Sequence, residues 1–125
     1  MSLIFKNKID EILYKIKSND LNSAKKLSLK LIKKNKKDFQ LQNIYATILY
    51  NLKEFNQAIE IYKLALNLNP NFYQAQYNLA KLYCDLKNYE KANIELQKCL
   101  NLEPNSIEVL LLLGNLNLKF KKYQL

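Results

Sequence analysis

Leu66-Asn67-Leu68-Asn69-Pro70-Asn71 comes back 34 residues later as Leu100-Asn101-Leu102-Glu103-Pro104-Asn105. At the same shift Glu54-Phe55-Asn56-Gln57-Ala58 falls on Asn88-Tyr89-Glu90-Lys91-Ala92. Tyr45-Ala46 falls on Leu79-Ala80, and again on Leu113-Gly114. Run backwards, Ala58 falls on Ala24 and Phe55 on Leu21, while Pro70 meets Lys36. Self-similarity at a fixed period of this size marks an array of like units. The register divides the chain into units 5–38, 39–72 and 73–106 and an incomplete unit 107–125, a single array with a degenerate first member.

Each unit reads as two helices. Phe55, Ala58, Ile59, Tyr62, Ala65 and Leu66 recur at three- and four-residue steps and make one apolar stripe. Ala75, Leu79, Leu82, Tyr83 and Leu86 make another. The joints at Lys53-Glu54 and Lys87-Asn88 are short, so each pair of helices is antiparallel. Pro70 and Pro104 end the second helices, because proline cannot donate into the ladder and disfavours helix in the residue before it. Ala46 with Ala58, and Ala80 with Ala92, let two helices approach closely. Leu49, Tyr62, Leu82 and Leu96 fill the space between neighbours. Ala58→Leu is therefore expected to cost about 1–3 kcal/mol by overpacking, read as a lowered thermal midpoint.

Composition narrows the chemistry. One Gly and two Pro among 125 residues leave little material for hairpins, and 25 Leu, 20 Lys and 17 Asn suit helices with short joints. There is no His, which removes the usual general base and most zinc and iron sites. One Gly cannot build a phosphate-cradling loop. Asp10-Glu11 are adjacent and Glu90 and Glu95 diverge on a helix, so these carboxylates read as exposed charges. No catalytic residue, cofactor or metal is expected. Cys84 and Cys99 form no C-x-x-C pair and lie in apolar stretches, so they read as packing residues of a reducing, cytoplasmic setting. The N-terminal apolar stretch is too short for a signal-peptide core, and the longest apolar run, Val109 to Leu113, is far short of a membrane span.

The net charge of +9 is uneven. Residues 1–38 hold eleven Lys and four acids, whereas 39–72 and 73–106 are each balanced. Lys25, Lys26, Lys30, Lys33, Lys34, Lys36 and Lys37 form the cluster. There is no Arg to read phosphate or guanine bidentately, so a solvated face is the better reading. Any nucleic-acid binding is expected to be sequence-independent and lost on going from low to physiological salt.

These residues resemble the tetratricopeptide repeat family. Its signature is a small residue after a Leu in the first helix, an Ala early in the second, an aromatic four further on, and a Pro before the next unit. Unit 39–72 matches through Ala46, Ala58, Tyr62 and Pro70, with Gln42 in the opening Trp slot and Tyr45 in the Leu slot. Unit 73–106 matches through Leu79, Ala80, Tyr83, Ala92 and Pro104, with Leu96 replacing the aromatic. Unit 5–38 matches only through Leu21 and Ala24, and 107–125 supplies Leu113, Gly114 and Tyr123. The resemblance implies an all-α fold: a right-handed superhelical solenoid of antiparallel helix pairs, about seven helices here.

It further implies a protein-binding scaffold whose first helices line a concave groove for a peptide or adjacent domain. In this sequence the groove residues would be Asn43, Thr47, Tyr50, Asn51, Gln74, Tyr77, Asn78, Lys81 and Asp85. Asn and Gln donate and accept together, and Tyr offers apolar area with a polar tip. The plainer alternative is a set of solvated polar positions. The family's clamp for a C-terminal carboxylate would need Lys at Asn43, Asn at Thr47 and Asn78, Lys at Glu108 and Arg at Leu112. Only Asn78 matches, and Glu108 would repel a carboxylate. A continuous Asn ladder is also missing, since Ile44 and Leu112 hold the slots equivalent to Asn78. The second reading of function is an N-terminal accessory region of a larger enzyme, such as a glycosyl- or sulfotransferase.

Residues 107–120 read as a first helix that is apolar nearly all round, through Val109, Leu110, Leu111, Leu112, Leu113, Leu116, Leu118 and Phe120. Such a helix belongs inside a structure. Either a second helix follows it in a longer protein, the reading adopted, or two copies pair through this end. The isolated chain is expected to expose an apolar patch there that drives association.

Overall fold

A computed structural model describes residues 2–123, with side chains through 119. Among the described residues seven helices follow in order: α1 (Leu3–Lys17), α2 (Leu21–Lys34), α3 (Phe39–Asn51), α4 (Phe55–Leu68), α5 (Tyr73–Asp85), α6 (Tyr89–Leu102) and α7 (Ile107–Tyr123). No strand occurs among the described residues. The fold is all-α and built of helix pairs. It divides into two compact units, residues 1–70 with α1–α4 and residues 71–125 with α5–α7.

The joint inside each pair has one geometry, repeated every 34 residues. Asn19, Lys53 and Lys87 take φ of 60°, 63° and 61°. At the first, Asn19 N–H donates to the Ile16 carbonyl and Asp20 N–H to the Lys15 carbonyl. Lys53 with Glu54, and Lys87 with Asn88, repeat both bonds. This is the Schellman ending, which satisfies the last carbonyls of a helix through one left-handed residue. The turn between pairs repeats as well, with Asn35, Asn69 and Glu103 closing α2, α4 and α6. Side chains start several helices: Ser2, Asp38 and Asn88 accept from the backbone N–H three residues on, and Ser106 does so at the start of α7.

The first unit buries Ile12, Ala24, Leu31, Leu41 and Ile48 in one cluster, with Ile9, Ile16, Leu27 and Ile44 packed against it. Ala46, Leu49, Ala58, Tyr62 and Ala65 are also buried, as the spacing predicts. Thr47 Oγ1 lies 2.9 Å from Tyr62 Oη, tying α3 to α4. Lys25 Nζ reaches both carboxylate oxygens of Glu54, at 3.0 and 3.2 Å, and so ties α2 to the start of α4. In the second unit Ala75, Leu79, Ala80, Leu82, Tyr83, Ala92, Leu96 and Cys99 form the interior. Leu86, expected on the apolar stripe of α5, is instead the residue that caps the end of that helix and is exposed, whereas its counterpart Leu52 packs against the core of the first unit.

On α7 one stripe, Val109, Leu113 and Leu116, is buried, while Ile107, Leu110, Leu111 and Leu118 are exposed. The helix runs three residues past the expected end at 120. A Cβ built on Gly114 meets nothing within 4 Å, whereas its counterparts Ala46 and Ala80 are fully buried. The side chain of Phe120 and the expected match of Tyr123-Gln124-Leu125 to the opening of a further helix lie outside the described residues.

Candidate functional site

In the second unit, Tyr73, Tyr77 and Lys81 stand four residues apart on α5, so they form one row on the helix surface. The two rings are nearly parallel, 5° apart in plane with centroids at 6.2 Å. Lys81 Nζ sits 5.8 Å from the centre of the Tyr77 ring, within cation–π reach. At the other end of the row the Tyr73 hydroxyl donates to Glu108 Oε1 at 2.7 Å and lies 2.7 Å from Ser106 Oγ. Ser106 is held by its place at the start of α7. Glu108 falls in the first turn of α7, where a negative charge suits the helix dipole. Burial raises the Tyr73 phenol to about 12, the Glu108 carboxylate adds to this, and the Ser106 hydroxyl opposes it. Tyr73 therefore remains a donor throughout the physiological range. Tyr77 is also shifted up, first by burial and then by the Glu108 charge.

Lys81 is exposed, as are Gln74 and Asp85 among the other expected residues of α5, and Asn78 is half-buried. Gln76, which the sequence reading passed over, is buried and donates to the Glu95 carboxylate of α6. On α3, in the first unit, Asn43 and Tyr50 are half-buried and Asn51 is exposed. The Tyr50 ring meets Phe55 edge-on at 5.8 Å. Thr47 is turned to the interior: its hydroxyl donates to the Asn43 carbonyl at 3.0 Å besides meeting Tyr62. Gln42, in the Trp slot, is buried and donates to the Lys36 carbonyl at 3.0 Å.

The lysine cluster splits. Lys25 is paired with Glu54. Lys26, Lys30, Lys33 and Lys34 line two hollows of about 420 and 500 Å³ along α1 and α2, joined by Lys8 and Lys15 from α1 and floored by Leu27, Leu29 and Leu31. Lys36 and Lys37 lie in the next turn. Cys84 and Cys99 are free thiols, half-buried and buried. Burial, reinforced by nearby carboxylates, lifts Cys99 to about 12, which makes it a packing group and a poor nucleophile. Among the described residues no cluster of three metal-ligating side chains occurs, and no helix is long and apolar enough to cross a membrane.

The profile of the tetratricopeptide repeat family matches residues 49–116, more than half of the chain. The chain belongs to the tetratricopeptide repeat family. No curated protein sequence matches it. Solved tetratricopeptide domains do. The first such domain of Spaghetti (RPAP3), bound to the HSP90 peptide SRMEEVD, is 20% identical with a TM-score of 0.87, over 94% of this chain and 93% of that one. The TPR2B domain of yeast Sti1, solved as a complex with pHsp70, is 22% identical with a TM-score of 0.84, over 94% and 99%. The Arabidopsis OM64 domain is 18% identical with a TM-score of 0.84, over 90% and 93%. At these identities the likeness is one of fold.

The sequence reading of this tetratricopeptide array missed Tyr73. Its counterpart one unit earlier is Phe39, so the 34-residue alignment files it as a packing position. The signal that finds it is the four-residue row Tyr73–Tyr77–Lys81, which is not repeated in the other units.

Proposed function

We propose that this tetratricopeptide repeat chain is a protein-interaction scaffold, binding a peptide segment or an adjacent domain through the polar and aromatic faces of its first helices. The faces are Asn43, Tyr50 and Asn51 on α3 and Gln74, Tyr77, Asn78, Lys81 and Asp85 on α5. Thr47, spent on Asn43 and Tyr62, acts by holding α3 in place. One observation carries the reading: the parallel Tyr73–Tyr77 stack, with Lys81 at one end and Glu108 at the other. Stacked rings give rigid contact area at small entropic cost, and the charges at either end orient a ligand. That structurally similar domains are solved with HSP90 and Hsp70 partners supports peptide binding as the general activity. The carboxylate clamp is not part of the proposal, because Glu108 places negative charge where a clamp needs a cation. The two free thiols fit a reducing, cytoplasmic setting.

The test is capture of partners from lysate by the wild type and by a Tyr77→Ala/Asn78→Ala double variant, with circular dichroism to show that both are folded. Loss of a wild-type partner from the variant supports the reading. Equal retention of every partner shows that α5 is not the binding face. The exposed Ile107, Leu110, Leu111 and Leu118 of α7 favour a second, self-associating surface. Sedimentation at rising concentration, with a hydrophobic-dye titration, checks it: a strict monomer that binds no dye excludes that surface.

A further inference from the structure

We propose that the α5–α7 face selects an extended segment bearing one cationic and one acidic side chain about four residues apart, the cation meeting Glu108 and the acid meeting Lys81. This rests on the reading of α5 as a peptide-binding face and gives that face its specificity.

Glu108 is exposed, and one of its oxygens is held by the Tyr73 hydroxyl. A carboxylate has about four lone-pair sites on two oxygens, so capacity remains for an incoming donor. Glu108 has no cationic partner among the described residues. Lys81 is likewise exposed and has no carboxylate partner among them; its ammonium rests over the Tyr77 ring. The Tyr73 hydroxyl holds the Glu108 carboxylate, and a charge already held in place loses less freedom when a ligand arrives. Between the two charges lie the parallel, half-buried rings of Tyr73 and Tyr77, which offer aromatic contact area to the intervening residues. Residues 73–125, which carry both α5 and α7, hold seven Lys and five acids, so the net charge of this stretch is small beside the pair.

The spacing follows from helix geometry. Lys81 stands eight residues beyond Tyr73, and a rise of 1.5 Å per residue separates their Cα atoms by about 12 Å along the helix, which sets the scale for the distance between the Lys81 ammonium and the Glu108 carboxylate held by Tyr73. An extended chain advances about 3.3 Å per residue, so its complementary charges fall about four residues apart. A wholly acidic segment meets repulsion at Glu108, and a wholly basic one at Lys81.

The test uses the full 125-residue chain and fluorescein-labelled peptides read by anisotropy. One set carries Lys and Glu four residues apart in an Ala/Leu background; others place them one or seven residues apart, or carry two Glu or two Lys at the four-residue spacing. We expect the four-residue Lys/Glu peptide to bind about fivefold tighter than the two-Glu and two-Lys peptides, which exchange one ion pair for a repulsion, and about twofold tighter than the peptides of other spacing, which keep only one pair. The preference should shrink at high salt. Charge reversal supplies a gain of function that a merely misfolded variant cannot show: Glu108→Lys should move the preference to the two-Glu peptide, and Lys81→Glu to the two-Lys peptide. Equal binding of all peptides, or reversals that leave the ranking unchanged, overturns the charge pattern while the peptide-binding face stands. Binding of none overturns the proposal, and the lysate capture then judges the underlying reading separately.

Discussion

The first helix pair, α1 with α2, and the second, α3 with α4, have one backbone and two different interiors. Both pairs close through the same Schellman turn, at Asn19 and at Lys53. Both bury an Ala at the equivalent place, Ala24 and Ala58. Elsewhere the sizes are exchanged. The small first-helix slot of the second pair, Ala46, is Ile12 in the first pair, and the large second-helix slot, Tyr62, is Ser28. All four are buried. The larger first-helix side chain offsets the smaller second-helix one, so the pair keeps its shape with only Leu21 and Ala24 left of the family pattern. Hydrophobic residues of suitable total volume preserve a fold, while detailed fit adds the last part of its stability.

The exchange is imperfect, and the sharpest way to show it is to empty the large slot. Tyr62 is almost fully buried and its hydroxyl meets Thr47. Tyr62→Ala is expected to cost about 3–5 kcal/mol, the range for losing a buried aromatic. Chemical denaturation of the full chain would measure it. A loss below about 1 kcal/mol would mean that Tyr62 does not fill the second pair, and the contrast with Ser28 would lose its meaning.

A second contrast appears at high pH. The second and third pairs bury groups that titrate: Tyr62 and Cys99 are each raised to about 12, by burial above all. Their counterparts in the first pair, Ser28 and Leu31, do not titrate. Each raised group is neutral when protonated. It supports the folded state fully below its unfolded pKa, about 8.5 for Cys and 10 for Tyr, and loses that support as pH rises through the folded value. The thermal midpoint should therefore be level to about pH 8.5 and fall steadily towards pH 12. A midpoint unchanged at pH 11 would show that these groups are more open to water than their burial indicates.

Much of this was legible in the sequence and some was not. Helix existence, pairing and the buried positions followed from Ala58, Ala92, Pro70 and Pro104, because a period and an apolar stripe are properties of the chain alone. The left-handed residue at each joint was hidden, since glycine is its usual signal and Lys53 and Lys87 carry none. Main-chain bonds impose that conformation, whatever the side chain. The candidate site was half visible. Tyr77 and Lys81 follow from the face of α5, but the Tyr73–Glu108 bond joins residues 35 apart, and no local pattern announces it.

Ser28 gives the next, smaller effect. Its hydroxyl is buried without a hydrogen-bond partner among the described residues. An unsatisfied buried polar group costs about 1–3 kcal/mol, so Ser28→Ala should stabilise the first unit by about 1 kcal/mol after the lost packing of one oxygen. A rise of a few degrees in the thermal midpoint is the expected reading. A fall would mean that the oxygen has a partner, and that the first pair is better satisfied than the size exchange suggests.

The smallest effects belong to the turns that the pairs share. A side chain at positive φ brings its Cβ close to the neighbouring carbonyl oxygen, at a cost of about 1–2 kcal/mol for most residues. Glycine escapes that cost but gives back part of the gain through the greater freedom of the unfolded chain. Lys53→Gly and Lys87→Gly should thus each stabilise the protein by about 0.5–1 kcal/mol. Asn tolerates this region, because its short side chain bonds locally. Asn19→Gly should accordingly change stability by no more than a few tenths of a kcal/mol. The three variants place one substitution at one backbone geometry in three different sequence settings. If Lys53→Gly and Lys87→Gly gain while Asn19→Gly does not, the degenerate first pair already carries a turn residue suited to its joint, and its divergence is confined to the interior. If Asn19→Gly gains as much as the others, Asn19 is strained too, and the first pair departs from the second in its turn as well as its core.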